Sequence, residues 1–344
     1  MTRKIKVGIN GFGRIGRAIF RVINSKNIFE IVLINDLNDS IENLAYLMKY
    51  DSLHGTLKDE IKTGSDEIFF NNSSIKIFSK EKIEEVPWND WDVNVVIGCT
   101  GNLRNVANAK KCLGNSVKKV VFSDSPVEVD YTFVFGVIGN QYDEKKHDVV
   151  AASICDVVGS APALDKINNN YGIQSGFVTT LHPWLFYQNI MDGKSQSNAF
   201  SEQPWTKHAI GRSAVNNLIP KNTSLIPALE EAMPSIKGKL SGMSFRVPTD
   251  LVASSNFTLI LEKDTNTSEI KNFLRSSCQK PILGYTEEPL ISVDYKYHEY
   301  SCVVDGKWIE VKKNRLLRMV TWYDNEWGYS SRLVDIVQHI AERL

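Results

Sequence analysis

The chain has 344 residues, 42% hydrophobic and 23% charged, which predicts a soluble globular protein of two domains. The 40 Lys and Arg residues balance 40 Asp and Glu residues, which argues against nucleic-acid binding through bulk charge. No apolar run approaches the roughly 20 residues that cross a bilayer, and the basic N-terminus reaches glycines too soon for a signal peptide.

The cysteine pattern predicts neither a disulfide framework nor a metal site. The five cysteines are odd in number and have no CxxC spacing, and the six histidines show no metal-ligand clustering. We therefore expect no metal and a reducing, cytoplasmic environment.

The first half of the chain alternates short β-branched runs with stretches of helical period, such as 16–24 and 105–113. That alternation predicts βαβ units around a parallel sheet. The candidate strands are Ile5–Ile9, Ile31–Ile34, Val93–Gly98, Lys119–Ser123, Thr132–Val137 and Val149–Ile154.

The second half has longer strand patterns whose connections need not be helical, which predicts a mixed or antiparallel sheet. These strands are Gly176–His182, Lys239–Pro248, Val252–Glu262 and Arg315–Tyr323. The segment Tyr329–Leu344 predicts a packed amphipathic helix with one apolar face, formed by Leu333, Ile336, Val337 and Ile340.

The segment KVGINGFGRIGR carries the pattern Gly11-x-Gly13-x-x-Gly16 between a predicted strand and a predicted helix. In this context the glycines permit a tight turn, a close backbone approach to a pyrophosphate and helix–strand packing. Asp36 ends the next strand, 20 residues after Gly16, where a carboxylate holds ribose hydroxyls and repels a 2′-phosphate. We therefore expect NAD rather than NADP, and favour this over a glycine-rich turn that binds nothing.

Several further segments occur in an order that resembles one family over nearly the whole chain. They are GINGFGRIGR, LAYLMKYDSLHGT, TTLH, GRSAVNNLIP, KLSGMSFRVPT and WYDNEWGYS. The chain resembles glyceraldehyde-3-phosphate dehydrogenase. The resemblance implies a Rossmann-type NAD domain over 1–154, completed by 325–344, an α+β catalytic domain over 155–324, and a homotetramer.

The resemblance also implies residue roles. Cys155 falls on the thiolate that attacks the aldehyde, and His182 on the base that activates it. Arg212 and Arg246 fall on arginines near the anionic groups of the substrate. Asn325 falls on the residue that orients the nicotinamide carboxamide. The expected cofactor contacts are Asn10, Gly11, Phe12, Gly13, Arg14, Ile15, Asp36, Ser123 and Asn325.

The residues themselves agree with these roles while leaving alternatives open. A neighbouring imidazolium or a helix N-terminus lowers a thiol pKa, and Cys155 leaves a predicted strand just before a helix-like segment. Taken alone, Cys155 is also compatible with a buried core position and His182 with a structural one. Arg212 and Arg246 have uncharged sequence neighbours, so each needs an anionic partner, either a substrate or a structural carboxylate.

The chain departs from the family around the nucleophile. The family pattern Ser-Cys-Thr-Thr-Asn-Cys is here Ile154-Cys155-Asp156-Val157-Val158-Gly159. The serine and first threonine belong to the family's site for attacking phosphate, which here keeps Thr223 and Arg212. After the histidine, Leu185 and Tyr187 replace the threonines that hold the substrate's phosphate. The altered loop over 192–212 places the tetramer geometry in question.

Asp156 has two possible orientations. Pointing inward it would repel a phosphate by about 4 kcal/mol at about 4 Å and an effective dielectric near 20, and would raise the thiol pKa. Pointing outward it would cap the helix N-terminus, which is the orientation we expect because aspartate is a common cap.

Three functions follow, in order of preference. The first is an NAD-dependent aldehyde dehydrogenase with an altered substrate or acyl acceptor, acting through a Cys155 thiohemiacetal and thioester. The second is an ordinary phosphorylating glyceraldehyde-3-phosphate dehydrogenase. The third is a non-catalytic NAD-binding paralogue.

Overall fold

The structure is a computed structural model that describes residues 4–38, 40–124, 128–139, 141–186, 188–193 and 208–344. The chain folds into two compact units. Unit 1 draws on the segments Met1–Phe133, Asn140–Ser153 and Ser330–Leu344, and unit 2 on Val134–Gly139 and Ile154–Tyr329. No helix within the described ranges has both the length and the apolar character needed to cross a membrane.

Within the described residues, unit 1 contains short strands and three complete α-helices. Its strands are β1 (Lys6–Asn10), β2 (Glu30–Asn35), β3 (Tyr50–Asp51), β4 (Gly55–Thr56), β5 (Ile61–Thr63), β6 (Glu67–Phe70), β7 (Ser73–Phe78), β8 (Val95–Gly98), β9 (Lys119–Phe122), β10 (Tyr131–Thr132) and β11 (Val149–Ala151). Its complete helices are α1 (Arg14–Lys26), α2 (Ile41–Lys49) and α3 (Leu103–Asn108).

Nine of these strands form one sheet in the order β10-β11-β9-β8-β1-β2-β7-β6-β5. Every pairing from β10 to β7 is parallel, and the last two strands add antiparallel. The central strands are buried on both faces, as parallel strands covered by helices usually are. The predicted parallel, Rossmann-type sheet is confirmed.

Three predicted elements of unit 1 end later along the chain than the observed ones. The strand expected over Thr132–Val137 ends at Thr132, because the chain turns at Gly136, whose φ is 84°. The strand expected over Val149–Ile154 ends at Ala151, because Ser153 has a left-handed φ of 58°. The helix expected over 105–113 begins at Leu103 and tightens into a 3₁₀ turn after Asn108.

Unit 2 holds the remaining elements. They are α4 (Cys155–Val158), α5 (Ala161–Tyr171), β12 (Ile173–Pro183), β13 (Ile219–Asn222), α6 (Leu225–Ala232), β14 (Leu240–Val247), β15 (Ala253–Leu261), α7 (Thr267–Ser276), β16 (Leu283–Thr286), β17 (Cys302–Asp305), β18 (Glu310–Lys312) and β19 (Leu316–Tyr323). A last helix, α8 (Trp327–Ala341), begins here and continues into unit 1. The apolar face predicted for it is buried in full.

The sheet of unit 2 runs in the order β13-β14-β12-β15-β19-β17-β16, with β18 paired to β19. Parallel and antiparallel pairings alternate irregularly, which confirms the predicted mixed sheet. Apolar side chains of α5, α6 and α7 pack with alternate residues of the central strands to form the core. On β12 and β14 the intervening residues remain exposed, among them Phe177, Leu181 and Met243.

Candidate active site

The glycine-rich turn after β1 is shaped by backbone contacts. Gly11 has a φ of 96°, and a Cβ there would lie 2.9 Å from the backbone of the 99–100 segment. A Cβ on Gly16 would overlap the carbonyl oxygen of Gly11, whereas one on Gly13 would meet nothing within 4 Å. The packing of the turn therefore requires glycine at positions 11 and 16. It leaves open space at Gly13, just before α1 begins.

Asp36 lies at the end of β2 and holds this turn. Its Oδ2 accepts a hydrogen bond from the Phe12 backbone N–H at 2.6 Å, and its Oδ1 accepts one from the Asn38 N–H at 2.9 Å. The carboxylate is therefore oriented by backbone amides at the carboxyl edge of the sheet, which suits a group that receives ribose hydroxyls.

Asn10 supplies a further sign of a bound group. It is 1% exposed, and its Oδ1 accepts a hydrogen bond from Asn35 Nδ2 at 2.7 Å. Among the described residues its own Nδ2 has no hydrogen-bond partner. A buried amide donor without a partner, beside an open glycine turn, fits a dinucleotide that supplies the acceptor.

The other predicted cofactor residues surround the same edge. Arg14 and Ile15 form the first turn of α1, and Arg14 pairs with Asp51 at 2.7 Å. Ser123 follows β9, and its N–H donates to the Gly98 carbonyl at 3.0 Å. Its neighbour Asp124, which sequence reasoning missed, is a buried carboxyl whose pKa burial raises to about 6.

The nucleophile candidate opens a helix in unit 2. Cys155 is the first residue of α4, after Ile154 as the N-cap residue. Its thiol donates toward Asp156 Oδ1 at 3.7 Å and lies 3.6 Å from His182 Nε2. The distance from His182 Nε2 to Asp156 Oδ1 is 3.8 Å. We call these three residues the Cys155 cluster.

The expected capping role of Asp156 is wrong. The α4 helix has no side-chain cap, and the Asp156 carboxylate turns into the cluster instead. There its Oδ1 accepts a hydrogen bond from the Tyr323 hydroxyl at 2.9 Å. A Cβ on Gly159 would overlap the Tyr323 ring, so this glycine makes the room in which the phenol reaches Asp156. The hydrogen bond from the buried Tyr323 hydroxyl thus outweighs a capping role at the start of α4.

His182 lies on β12 and is 4% exposed. Its Nδ1 is 2.8 Å from the Pro183 carbonyl, which can only accept, so Nδ1 carries the proton. Burial and the positive charge of Arg246 lower the pKa of His182 to about 4, so at neutral pH its Nε2 is a bare acceptor facing the thiol. The imidazole is therefore placed as a general base.

The resting thiol is protonated. Burial, followed by the carboxylate of Asp156, raises the pKa of Cys155 well above its usual range, and Arg246 offsets only part of this. The thiolate must therefore form during attack, by proton transfer to a neighbouring acceptor, rather than beforehand as sequence reasoning assumed.

Two cations lie beside the cluster. Arg246 pairs in register with His182 across β14 and β12, and Lys221 lies on the neighbouring strand β13, two residues beyond the partner of Arg246. Arg246 is 8% exposed, and within the described ranges neither side chain has a hydrogen-bond or ion-pair partner. Burial and Arg246 lower the pKa of Lys221 to about 8. Sequence reasoning missed Lys221, because only the strand pairing brings it here.

The contacts of the remaining predicted residues that are described do not involve the Cys155 cluster. The Arg212 guanidinium is 70% exposed and pairs with Asp192 at 2.8 Å, so the structure does not bring it into the Cys155 cluster. Thr223 Oγ1 accepts from the Leu225 N–H at 3.0 Å, at the start of α6. Leu185 is half-buried, whereas Tyr187 lies outside the described residues.

Asn325 follows β19 and is 5% exposed. Its Oδ1 accepts from the Val252 N–H at 2.9 Å. Val252 has a φ of 73°, a left-handed conformation that costs a β-branched residue of order 1–3 kcal/mol. The hydrogen bond from the Val252 N–H therefore orients the Asn325 amide, which gives its Nδ2 a defined direction.

Sequence spacing indicated no metal-ligand cluster, and folding brings together three side chains that could hold a cation. The Sγ, Nε2 and Oδ1 atoms of the Cys155 cluster all lie within 4.8 Å of one another. Cys155 and His182 are 27 positions apart, and the end of β12 brings them together.

Fold and site together define the class: a parallel sheet with a dinucleotide-binding turn, and a second unit with a thiol facing a neutral imidazole. Family models agree. "Glyceraldehyde 3-phosphate dehydrogenase, NAD binding domain" matches residues 5–106, and "Glyceraldehyde 3-phosphate dehydrogenase, C-terminal domain" matches residues 154–325.

Curated relatives match over their full length. The chain is 36% identical to glyceraldehyde-3-phosphate dehydrogenase 1 of Bacillus cereus over 341 residues, 98% of this chain and 99% of the relative. It is 36% identical to the cytosolic enzyme of Pisum sativum over 349 residues, 100% of both chains. The chain belongs to the glyceraldehyde-3-phosphate dehydrogenase family and is an NAD-dependent oxidoreductase.

Proposed function

We propose that this protein oxidises an anionic aldehyde through a thioester on Cys155. Water, rather than inorganic phosphate, then takes the acyl group, and the product is a carboxylic acid. Three groups carry the proposal: a thiol nucleophile, a neutral base, and a carboxylate where the family pattern has threonine. Asp156, 3.7 Å from the Cys155 sulfur, is the observation on which the choice of acceptor rests.

The first step forms a carbon–sulfur bond. His182 Nε2 takes the thiol proton while Sγ attacks the carbonyl carbon, and the proton passes to the carbonyl oxygen to give a thiohemiacetal. His182 then accepts the hydroxyl proton as the carbon loses its hydride, which leaves a thioester. NAD, when bound, accepts that hydride.

The second step breaks the carbon–sulfur bond. Water attacks the thioester carbon and Asp156 takes a water proton. Cys155 leaves as a thiolate and takes back the proton held by His182, while Asp156 releases its proton to solvent. A carboxylate at this position suits water, which has a proton to give. It repels a phosphate dianion by about 4 kcal/mol for each unit charge at about 4 Å and an effective dielectric near 20.

The substrate's anionic group is inferred from Arg246 and Lys221. A buried guanidinium without a partner is costly unless a ligand neutralises it, and a planar guanidinium binds carboxylates and phosphates in two-point fashion. Lys221 adds a second cation on the adjacent strand. We therefore propose an aldehyde that carries a carboxylate or a phosphate.

The test is NADH formation with a panel of anionic and neutral aldehydes, each measured with and without phosphate or arsenate. We expect oxidation of anionic aldehydes at a rate that phosphate changes less than about twofold. An absolute requirement for phosphate would overturn the hydrolytic reaction and leave the second candidate.

That second candidate is the ordinary phosphorylating reaction. It is favoured by Lys221, whose charge would compensate Asp156 in a phosphate site that keeps Arg246. Phosphate-dependent turnover of glyceraldehyde 3-phosphate, lost in Lys221→Met, would establish it.

We also propose a homo-oligomer, of which a tetramer is the expected form. The face of the unit 2 sheet turned away from its helices exposes Phe177 to 69%, together with Leu181 and Met243, and contiguous apolar surface of this kind marks an interface. Light scattering should give a multiple of the 38.8 kDa chain, and Phe177→Glu should reduce it. Because the thiol must stay reduced, we propose a cytoplasmic location.

A further inference from the structure

The Cys155 cluster has the shape of a metal site. Its three ligand atoms form a nearly equilateral triangle with edges of 3.6, 3.7 and 3.8 Å. In such a triangle the centre lies about 2.1 Å from each corner (about 3.7 Å divided by √3), close to the zinc–nitrogen and zinc–oxygen distances and slightly short of the zinc–sulfur distance of about 2.3 Å. A cation slightly above the triangle's plane would lie within bonding distance of all three atoms.

The outer partners of these ligands also match a metal site. His182 donates its Nδ1 proton to the Pro183 carbonyl, which leaves Nε2 as the ligand nitrogen. Ligating histidines in proteins almost always donate their other ring N–H in this way. The Tyr323 hydroxyl likewise holds Asp156 Oδ1 in place at 2.9 Å.

We propose that Cys155, Asp156 and His182 bind one zinc ion, with the fourth position open to water, and that zinc reversibly blocks the nucleophile. One sulfur, one nitrogen and one oxygen ligand suit zinc. They do not suit magnesium or calcium, which bind oxygen ligands. On binding, the Cys155 thiol releases its proton, and the thiolate, the carboxylate and the neutral imidazole together balance the two positive charges. Zinc binding by these residues does not depend on the proposed function, whereas the block of the nucleophile rests on it.

Arg246 and Lys221 act against a cation here, since both lie beside the cluster and contribute positive charge to it. The affinity for a cation therefore depends on these two positive charges. Lys221→Met should tighten zinc binding by about tenfold, because one unit of like charge is removed from the edge of the cluster.

The experiment measures zinc affinity of the full chain against a chromophoric chelator, without aldehyde. We expect one zinc per chain, at least about a hundredfold weaker binding in Cys155→Ala, and about 10- to 100-fold weaker binding in Asp156→Asn and Tyr323→Phe. Cobalt should give a thiolate-to-metal charge-transfer band that Cys155→Ala abolishes. Cys278→Ser, at an exposed cysteine, is the matched control and should bind zinc as the unmodified chain does.

Absence of stoichiometric zinc binding, or equal binding in Cys155→Ala and the unmodified chain, would overturn the proposal. The cobalt band keeps the test decisive where one variant folds poorly, because it reports on the unmodified chain. The result is separable from the proposed function: zinc binding is measured at equilibrium, whereas aldehyde oxidation is measured on zinc-free protein.

Discussion

The glycine turn of unit 1 and the Cys155 segment of unit 2 use a carboxylate in opposite ways. Each carboxylate oxygen of Asp36 accepts a hydrogen bond from a backbone N–H, which fixes the carboxylate beside the glycine turn. Asp156 instead faces a thiol, an imidazole and a phenol, all of them able to exchange protons. The first site is therefore set by chain geometry and the second by a combination of side chains, which is where this chain departs from its family's pattern.

That contrast has a chemical consequence. The glycine turn is held by backbone contacts and depends on few side chains, chiefly Gly11, Gly16 and Asp36. In the Cys155 cluster, the aspartate that stands where the family pattern has threonine raises the thiol pKa. The proposed function makes the same aspartate the cause of a changed acyl acceptor.

The largest effect should come from the nucleophile. Cys155→Ala removes the atom that bonds to the substrate, so aldehyde-dependent NADH formation should fall by at least about 10³-fold. NAD affinity, measured by calorimetry, should change less than about twofold. Cys278→Ala, at an exposed cysteine, serves as the control. Residual turnover above one tenth in Cys155→Ala would refute covalent catalysis.

In unit 1, Gly16→Ala should cost about 1–3 kcal/mol of unfolding free energy, because its Cβ overlaps the Gly11 carbonyl oxygen. Gly13→Ala meets no neighbour within 4 Å, so the fold should be unaffected while NAD binding weakens. Denaturant unfolding and calorimetry separate the two effects. If Gly13→Ala binds NAD like the unmodified chain, the dinucleotide does not cross this turn.

Lys221→Met should raise KM for an anionic aldehyde by about tenfold and leave a neutral aldehyde of similar size unaffected. Lys221 is charged below its pKa of about 8, so in the unmodified chain KM should rise as pH increases through 8. Steady-state kinetics from pH 6 to about 9.5 test this. An identical KM–pH profile in the variant would remove Lys221 from the substrate site.

The smallest effect concerns thiol ionisation. Burial and Asp156 raise the pKa of Cys155, so alkylation by iodoacetamide should increase with pH beyond the range of an ordinary cysteine. Asp156→Asn removes the second cause, so the profile should shift to lower pH and the rate at pH 7 should rise by about tenfold. A slower or unchanged rate would mean that Asp156 does not oppose the thiolate.

The sequence predicted the cofactor turn well because its requirements are local. Gly11, Gly16 and Asp36 follow from what a tight turn and a strand end demand, and the two sheets follow from periodicity. The antiparallel strands β5–β7 were missed, although the run EIFFNNSSIKIF has two β-rich segments around an Asn-Asn turn.

The second site was less predictable because its contacts are long-range. Tyr323 lies 167 positions from Asp156, and nothing near either residue indicates that a phenol draws the carboxylate inward. Lys221 reaches the cluster only through the pairing of β13 with β14. Local propensity therefore favoured a helix cap, and tertiary hydrogen bonding decided otherwise.

The decisive measurement follows the acyl group on Cys155. The thioester should be formed by a single turnover with NAD and an anionic aldehyde, then mixed with ¹⁸O-labelled water with and without phosphate. We predict decay at the same rate in both mixtures, with one labelled oxygen in the released carboxylic acid. A thioester that persists until phosphate is added, and then leaves as an acyl phosphate without label, would contradict the account.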